Sequence, residues 1–301
     1  MRKFLGGLFV VLVFASLAIA QVSKDAEDLK PTGKGWGERS QQPNGQARNA
    51  RPVKGNGISY HGGPVMTSGA KMYYIWYGGW NGNTATTILT DLANGIGGTP
   101  YFNINTTYYN GSNVHVPNSV SYAGNTSVGY PNGTNLSDAN IQTIVSNAIS
   151  SGALGQADSN GVYFVLTSSD VNETSGFCTQ YCGWHTHATI GGRDIKYAFI
   201  GNPDRCPSAC EAQTTSPNGN AGADGMASII AHELEETATD EDLNAWYDTR
   251  GAENADKCAW TFGTESTAGN GSKYNMTFGG HNWLIQQNWV NASGGYCAKS
   301  Y

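Results

Sequence analysis

Residues 221–239 read Ala-Gly-Ala-Asp-Gly-Met-Ala-Ser-Ile-Ile-Ala-His-Glu-Leu-Glu-Glu-Thr-Ala-Thr. Ala227, Ile230, Ala231, Leu234 and Ala238 recur at a spacing of about 3.6, which predicts a helix with one apolar face. Asp224 is placed to cap its first turn. His232, Glu233 and Glu236 fall together on another face. The run His232-Glu233-Leu234-Glu235-Glu236 is His-Glu-x-x-Glu, one substitution from the metal-binding pattern His-Glu-x-x-His. Residues four apart on a helix stack one turn above each other, so His232 and Glu236 can grip one metal ion. Glu233 can then face the open side of that ion and carry a proton from bound water to a leaving group. Zinc accepts nitrogen and oxygen ligands. A glutamate in place of the second histidine adds negative charge and tilts preference toward harder ions. The same three glutamates also fit an ordinary solvated acidic face with His232 beside it.

A catalytic zinc needs a third protein ligand. If the helix ran past Thr239, Asp240 would stand about 12 Å along the axis from His232, too far to share an ion. The chain must therefore turn near Thr239 for Asp240 or Asp242 to help. Asp248, Glu253 and Asp256 precede Cys258, and a return loop tied down by that cysteine can bring one of them back. His185 and His187 are further candidates.

Outward from this helix, Met72-Tyr73-Tyr74-Ile75-Trp76-Tyr77 reads as a buried strand ending at Gly78-Gly79. Val162–Leu166 and Lys196–Ile200 read as further strands. Thr87–Ile96 and Ser137–Ser150 read as helices, the second capped by Ser137 or Asp138. Residues 101–135 alternate Tyr, Asn, Thr and Gly and read as hairpins and loops. Strands and helices without strict alternation indicate an α+β domain covering residues 58–301.

The ends and the composition fix the setting. Arg2 and Lys3, an apolar run from Phe4 to Leu17 and the small-residue site Ala18-Ile19-Ala20 make residues 1–20 a signal peptide. The run is shorter than the roughly 20 residues a membrane span needs, so no membrane association is expected once it is removed. Residues 21–57 are polar and poor in large apolar groups, and read as a flexible leader or a propeptide, with Arg48 and Arg51 as cleavage points. As metal-blocking groups the leader offers only the carboxylates Asp25, Glu27, Asp28 and Glu38, with no Cys or His.

Six cysteines in an exported chain indicate disulfides. The pairing expected from proximity is Cys178 with Cys182, Cys206 with Cys210 and Cys258 with Cys297, with a zinc site on the two Cys-x3-Cys pairs as the alternative. Asn105, Asn110, Asn125, Asn132, Asn135, Asn172, Asn270, Asn275 and Asn291 each head an N-glycosylation triplet. Net charge is −6, or −8 once Arg2 and Lys3 leave. No basic cluster marks a nucleic-acid partner.

At Tyr60-His61-Gly62-Gly63-Pro64-Val65, Met72–Trp80, Val162–Asp170, Gly176-Phe177-Cys178, Cys182-Gly183-Trp184-His185, Gly201-Asn202-Pro203, Cys206, Cys210, Ser216-Pro217-Asn218-Gly219, Asp224-Gly225-Met226, Thr239-Asp240, Asn244–Tyr247 and Cys258-Ala259-Trp260, the chain resembles the phosphate-induced protein 1, or EXORDIUM-like, family. That family is known from plant cell walls, with relatives in fungi, oomycetes and bacteria. The resemblance spans nearly all of residues 58–297. It implies an extracellular or cell-wall protein linked to growth, with extracellular proteins or wall components as partners. The His-Glu-x-x-Glu run, followed by Thr-Asp and later by a Glu shortly before a Cys, marks the microbial type. It thereby favours Asp240 and Glu253 as partners of His232 and Glu236.

The expectation is a zincin-like mixed sheet packed against the His232 helix, in a secreted zinc-dependent hydrolase, most simply a peptidase with Glu233 as proton carrier. The alternative is a non-catalytic extracellular or cell-wall protein whose metal site is structural or vestigial.

Overall fold

The computed structural model describes residues 29–34 and 56–301. The expected signal peptide and most of the expected leader lie outside the described residues. The centre is a five-stranded mixed sheet. In chain order its strands are β1 (Ala70–Tyr77), β2 (Val120–Gly129), β3 (Gly161–Thr167), β4 (Gly183–Ile190) and β5 (Arg193–Ile200). Spatially they run β2-β1-β3-β5-β4, with four parallel neighbours and β4 antiparallel on the edge. The three long helices are α1 (Ala85–Gly95), α2 (Asp138–Ser150) and α3 (Ala221–Thr239). The result is one mixed α/β domain.

Local sequence explains each strand. In β1, Met72, Tyr74, Ile75 and Tyr77 are all fully buried. β3 is buried along its whole length. Near-continuous apolar runs of this kind suit inner strands covered on both faces. β2 departs from the hairpins and loops expected for residues 101–135. It is an edge strand that alternates half-buried and exposed positions along its ten residues, parallel to β1. Its half-buried set is Val120, Tyr122, Gly124, Thr126 and Val128. Edge exposure lets the other set be polar, and this hides the strand among polar residues. With β2 recognised, residues 70–167 alternate strand and helix more regularly than the sequence suggested.

β4 and β5 form a hairpin around Gly191 and Gly192, both at positive φ (59° and 76°). Two such residues are what a tight hairpin turn demands. Side chains alternate across β4, so Trp184 and His185 leave on opposite faces. His185 meets α3. The Trp184 ring packs near Tyr197 and Phe199.

The pairing of four cysteines differs from the expectation. Cys178 bonds Cys206 and Cys182 bonds Cys210, each across 28 residues, while Cys258 bonds Cys297 as expected. The two Cys-x3-Cys segments therefore lie side by side and are riveted to each other; neither closes on itself. No cysteine is left to hold zinc. Two expected glycosylation positions are built into the fold. Asn105 is fully buried and accepts from Asn254. Asn275 uses its amide nitrogen on the carbonyls of Phe262 and Ile285 and its oxygen on the Ile285 N–H. A glycan on either would displace these contacts. Asn125, Asn135 and Asn270 are exposed, and Asn110, Asn132, Asn172 and Asn291 are half-buried. No helix among the described residues is long and apolar enough to cross a membrane.

Candidate metal centre

α3 starts where Asn220 accepts a hydrogen bond from the Ala223 N–H. Asp224, read as the cap, instead accepts from Ser216 and Asn218 just before the helix. The helix is buried nearly all round, including Ile230 and Leu234 at full burial. Glu233, Glu235 and Glu236 are at most 1% exposed, which overturns the solvated-face reading. α3 ends at Asp240, whose backbone N–H still bonds Glu236 O while its φ of −149° leaves the helix. The chain turns there, as a shared site requires.

His232 Nε2 lies 3.0 Å from Glu236 Oε1, one turn on. Asp256 Oδ1 is 3.6 Å from the same nitrogen. The Asp256 N–H also donates to Glu236 Oε1 at 3.0 Å. On the other side of Glu236, His185 from β4 places Nδ1 at 3.1 Å from Glu233 Oε2 and 3.5 Å from Glu236 Oε2. His185 Nε2 is 3.5 Å from Glu253 Oε1. Donors bound to one zinc at 2.0–2.2 Å stand roughly 3.3 Å apart. His232, Glu236 and Asp256 make one such group, and His185, Glu233 and Glu236 make a second that shares Glu236. β4 and α3 pack closely enough for this because Gly183 has no side chain. A Cβ there would meet Ile229 Cγ2 at 2.6 Å and Glu233 Oε1 at 3.3 Å.

Of the four expected ligands, His232 and Glu236 face each other directly, and Glu253 joins from the His185 side. Asp240 is adjacent in charge to His185 and Glu236, but its Oδ1 is held by the N–H groups of Asn244 and Ala245 at 2.6 and 2.5 Å. Asp256, one of several carboxylates weighed in the sequence, is closer to His232 than the family resemblance implied. Asp242 is diverted to a separate, partly exposed group with His187 and Asp194, where Lys196 already supplies a cation. Asp248 is taken by Lys257 and Arg250. His185 was one candidate among several in the sequence. The β4–β5 hairpin is legible as two runs flanking Gly191-Gly192, but nothing in that pattern places His185 against α3.

The electrostatics are severe. Glu233, Glu236, Asp240, Glu253 and Asp256 surround two histidines with almost no solvent access. Five ionised carboxylates against two charged imidazoles leave three negative charges in low dielectric. An uncompensated buried carboxylate costs several kcal/mol, so the group must take up protons or a cation. Burial opposes a charge on His185, yet Glu233 and Glu236 outweigh it and hold the imidazole up to about 10. Burial would raise Glu236, but His232 and His185 pull it down to about 2. Burial lifts Glu233 to about 7 and Asp240 to about 6. Burial, reinforced by Glu236 and Asp240, pushes Glu253 well above the usual carboxylate range. Buried oxygens remain without a hydrogen bond at Glu233 Oε1, Glu236 Oε2, Asp240 Oδ2 and Glu253 Oε1.

Glu235 points elsewhere. It accepts from Asn288, and burial pushes its carboxyl well above the usual carboxylate range, so it belongs to a core polar network with Asn254 and Asn105.

Residues 29–34 lie against this region. The Gly33 carbonyl accepts from His185 N at 3.0 Å, and Leu29 N donates to Thr249 O at 3.2 Å. The stretch carries no carboxylate, so its contact with the neighbourhood of the centre is made through backbone.

The conserved region of phosphate-induced protein 1 matches residues 58–287, and the chain belongs to that family. It is 30% identical to Protein EXORDIUM-like 5 of Arabidopsis thaliana over 273 residues, covering 77% of this chain and 75% of that protein. It is 30% identical to Protein EXORDIUM-like 3 of the same plant over 280 residues, covering 80% and 82%. Protein EXORDIUM is 34% identical over 139 residues, 41% of each chain. No solved structure matches.

Proposed function

We propose that this phosphate-induced protein 1 family member, of the microbial type, is a secreted, zinc-dependent hydrolase acting on peptides, held closed in the conformation described. The observation that supports a metal is the concentration of His185, His232 and five carboxylates in one water-excluded place, with several donor atoms lacking hydrogen bonds. His232, Glu236 and Asp256 would hold the ion, with His185 and Glu253 on the far side of Glu236. A bound zinc would supply Lewis-acid activation of water. Glu233 stands beside this set with Oε1 uncommitted, and serves as the proton acceptor and donor. His185 Nδ1 fixes its other oxygen. Three disulfides fit an oxidising extracellular setting, where proteins or wall components would be the partners.

The complete enclosure of the side chains favours a second reading, a structural metal in a non-catalytic wall protein. Metal analysis and peptide-library hydrolysis on the same purified full chain separate the two. About one zinc per chain is expected, lost in His232→Ala and Glu236→Ala and kept in Glu233→Gln, which should be inactive. Full metal content in His232→Ala refutes the centre. Metal without cleavage, under conditions that displace residues 29–34, selects the structural reading.

A further inference from the structure

Residues Leu29–Lys34 bridge two elements that furnish the centre. At one end Leu29 bonds Thr249, on the loop that leads to Glu253 and Asp256. Gly251 in that loop has φ +79° and passes so close to Lys30 O that an added Cβ would lie 2.8 Å from it. At the other end Gly33 bonds His185 N on the free edge of β4, the strand at the end of the sheet. Gly33 has φ +68°, and a Cβ there would fall 1.8 Å from His185 O. Only glycine fits that approach.

Lys34 then reaches the opposite sheet face. Its Nζ donates to Asp138 Oδ2 and to Ser175 Oγ, each at 2.6 Å, and lies 5.4 and 5.5 Å from the ring centres of Tyr181 and Trp184. Behind Asp138 is Glu173, 1% exposed, with Oε2 accepting from Ser175 and Tyr181 and Oε1 without a hydrogen bond. Two carboxylates, a hydroxyl and two aromatic walls form a receptor for an ammonium group, through charge-assisted hydrogen bonds and cation–π attraction.

We propose that the edge of β4 and the Asp138–Glu173 pocket form a docking groove for a peptide bearing a basic side chain, and that residues 29–34 fill it in cis. The cis segment accepts one backbone hydrogen bond from that edge, from His185 N, while the pocket selects lysine or arginine. That the groove delivers peptide to the metal centre rests on the hydrolase reading; the docking does not. The built-in segment has a large advantage in effective concentration over an added peptide, so the groove is closed until the cis contact is weakened.

The test uses the full chain and a fluorescein-labelled peptide of residues 29–34, Leu-Lys-Pro-Thr-Gly-Lys, read by fluorescence anisotropy. Lys34→Glu should bind it at least tenfold tighter than the unaltered chain, because charge reversal ejects the cis segment. Gly33→Ala should open the groove independently, through the clash with His185 O, and leaves the pocket intact. Lys34→Glu combined with Asp138→Lys should lose the gain, since the cis pair is restored with reversed charges. A peptide ending in glutamate should not bind any variant. Equal binding to the unaltered chain and to both opened variants, or undiminished binding to the doubly reversed chain, overturns the proposal. Failure of the metal centre would appear in metal content and leave these anisotropy results unchanged.

Discussion

Breaking Cys258–Cys297 should cost more than breaking either disulfide between the 178–182 and 206–210 segments, and should also loosen the candidate metal centre. In the loop-entropy treatment a crosslink closing 39 residues constrains the unfolded chain by about 3.9 kcal/mol. Either bond across 28 residues would give about 3.6 kcal/mol if it stood alone. It does not stand alone. With Cys182–Cys210 in place, Cys178–Cys206 closes a residual loop of about ten residues, worth about 2.7 kcal/mol. The Cys178→Ala/Cys206→Ala variant should therefore lose about 2.7 kcal/mol and Cys258→Ala/Cys297→Ala about 4 kcal/mol. For a domain of this size these are melting-point losses of roughly 5–10 °C and 8–16 °C. Removing both segment-bridging disulfides should cost about 6 kcal/mol, more than twice the loss from one. Cys258 follows Asp256 by two residues, so on the proposed zinc reading its variant should also hold the ion more weakly. Guanidinium unfolding and a competitive zinc-chelator titration measure the two effects. If Cys178→Ala/Cys206→Ala proves as destabilising as Cys258→Ala/Cys297→Ala, the argument from redundant loops is wrong.

Three further outcomes follow from buried side chains. Glu211 is pushed up to about 7 by burial and then by Asp204. The folded chain keeps a proton there that the unfolded chain releases near 4.5, so stability should fall as pH rises from about 4.5 through 7. Glu211→Gln should flatten that part of a pH–stability profile. Glu235→Gln should stay within about 1 kcal/mol of the unaltered chain, because a neutral amide can still accept from Asn288. Glu235→Ala, which strands Asn288, should lose about 2–3 kcal/mol in urea unfolding. Leu234→Ala, at a fully buried site, should lose about 2–5 kcal/mol by the same measurement.

Sequence alone revealed the elements whose burial is one-sided or complete. The periodicity of residues 221–239 marks a helix, and Met72–Tyr77 and Val162–Leu166 read as buried strands. It concealed β2, because an edge strand with exposed Asn and Ser looks like a loop until its parallel partner is known. The cysteines failed for a related reason. Local spacing favours closing each Cys-x3-Cys pair on itself, whereas the fold lays the two segments side by side and bonds across them. At the candidate metal centre, the helix periodicity places His232 above Glu236. No local rule shows that the 253–256 loop turns Asp256 rather than Asp240 toward that histidine. His185 comes from a strand more than forty residues upstream in the sequence, so only tertiary structure brings it there.

The enclosure of the centre and the position of residues 29–34 bear on one another. A catalytic metal surrounded by side chains at most 1% exposed has no route for substrate, which by itself favours a structural ion. Yet among the described residues few bonds hold the 29–34 segment. Two are backbone hydrogen bonds, at Leu29 and Gly33, and the main side-chain anchor is Lys34, itself about a quarter exposed. Solvent-screened ion pairs contribute about 0–1 kcal/mol, and single hydrogen bonds about 0.5–1.5 kcal/mol. Such contacts can open without unfolding the domain, whereas the neighbouring centre is held by α3, β4 and the Cys258–Cys297 loop. Opening therefore exposes the β4 edge beside His185 and frees the Asp138–Glu173 pocket in the same movement. On the proposed hydrolase reading, a rigid, highly charged centre beside a separately attached segment is an arrangement that latency would use.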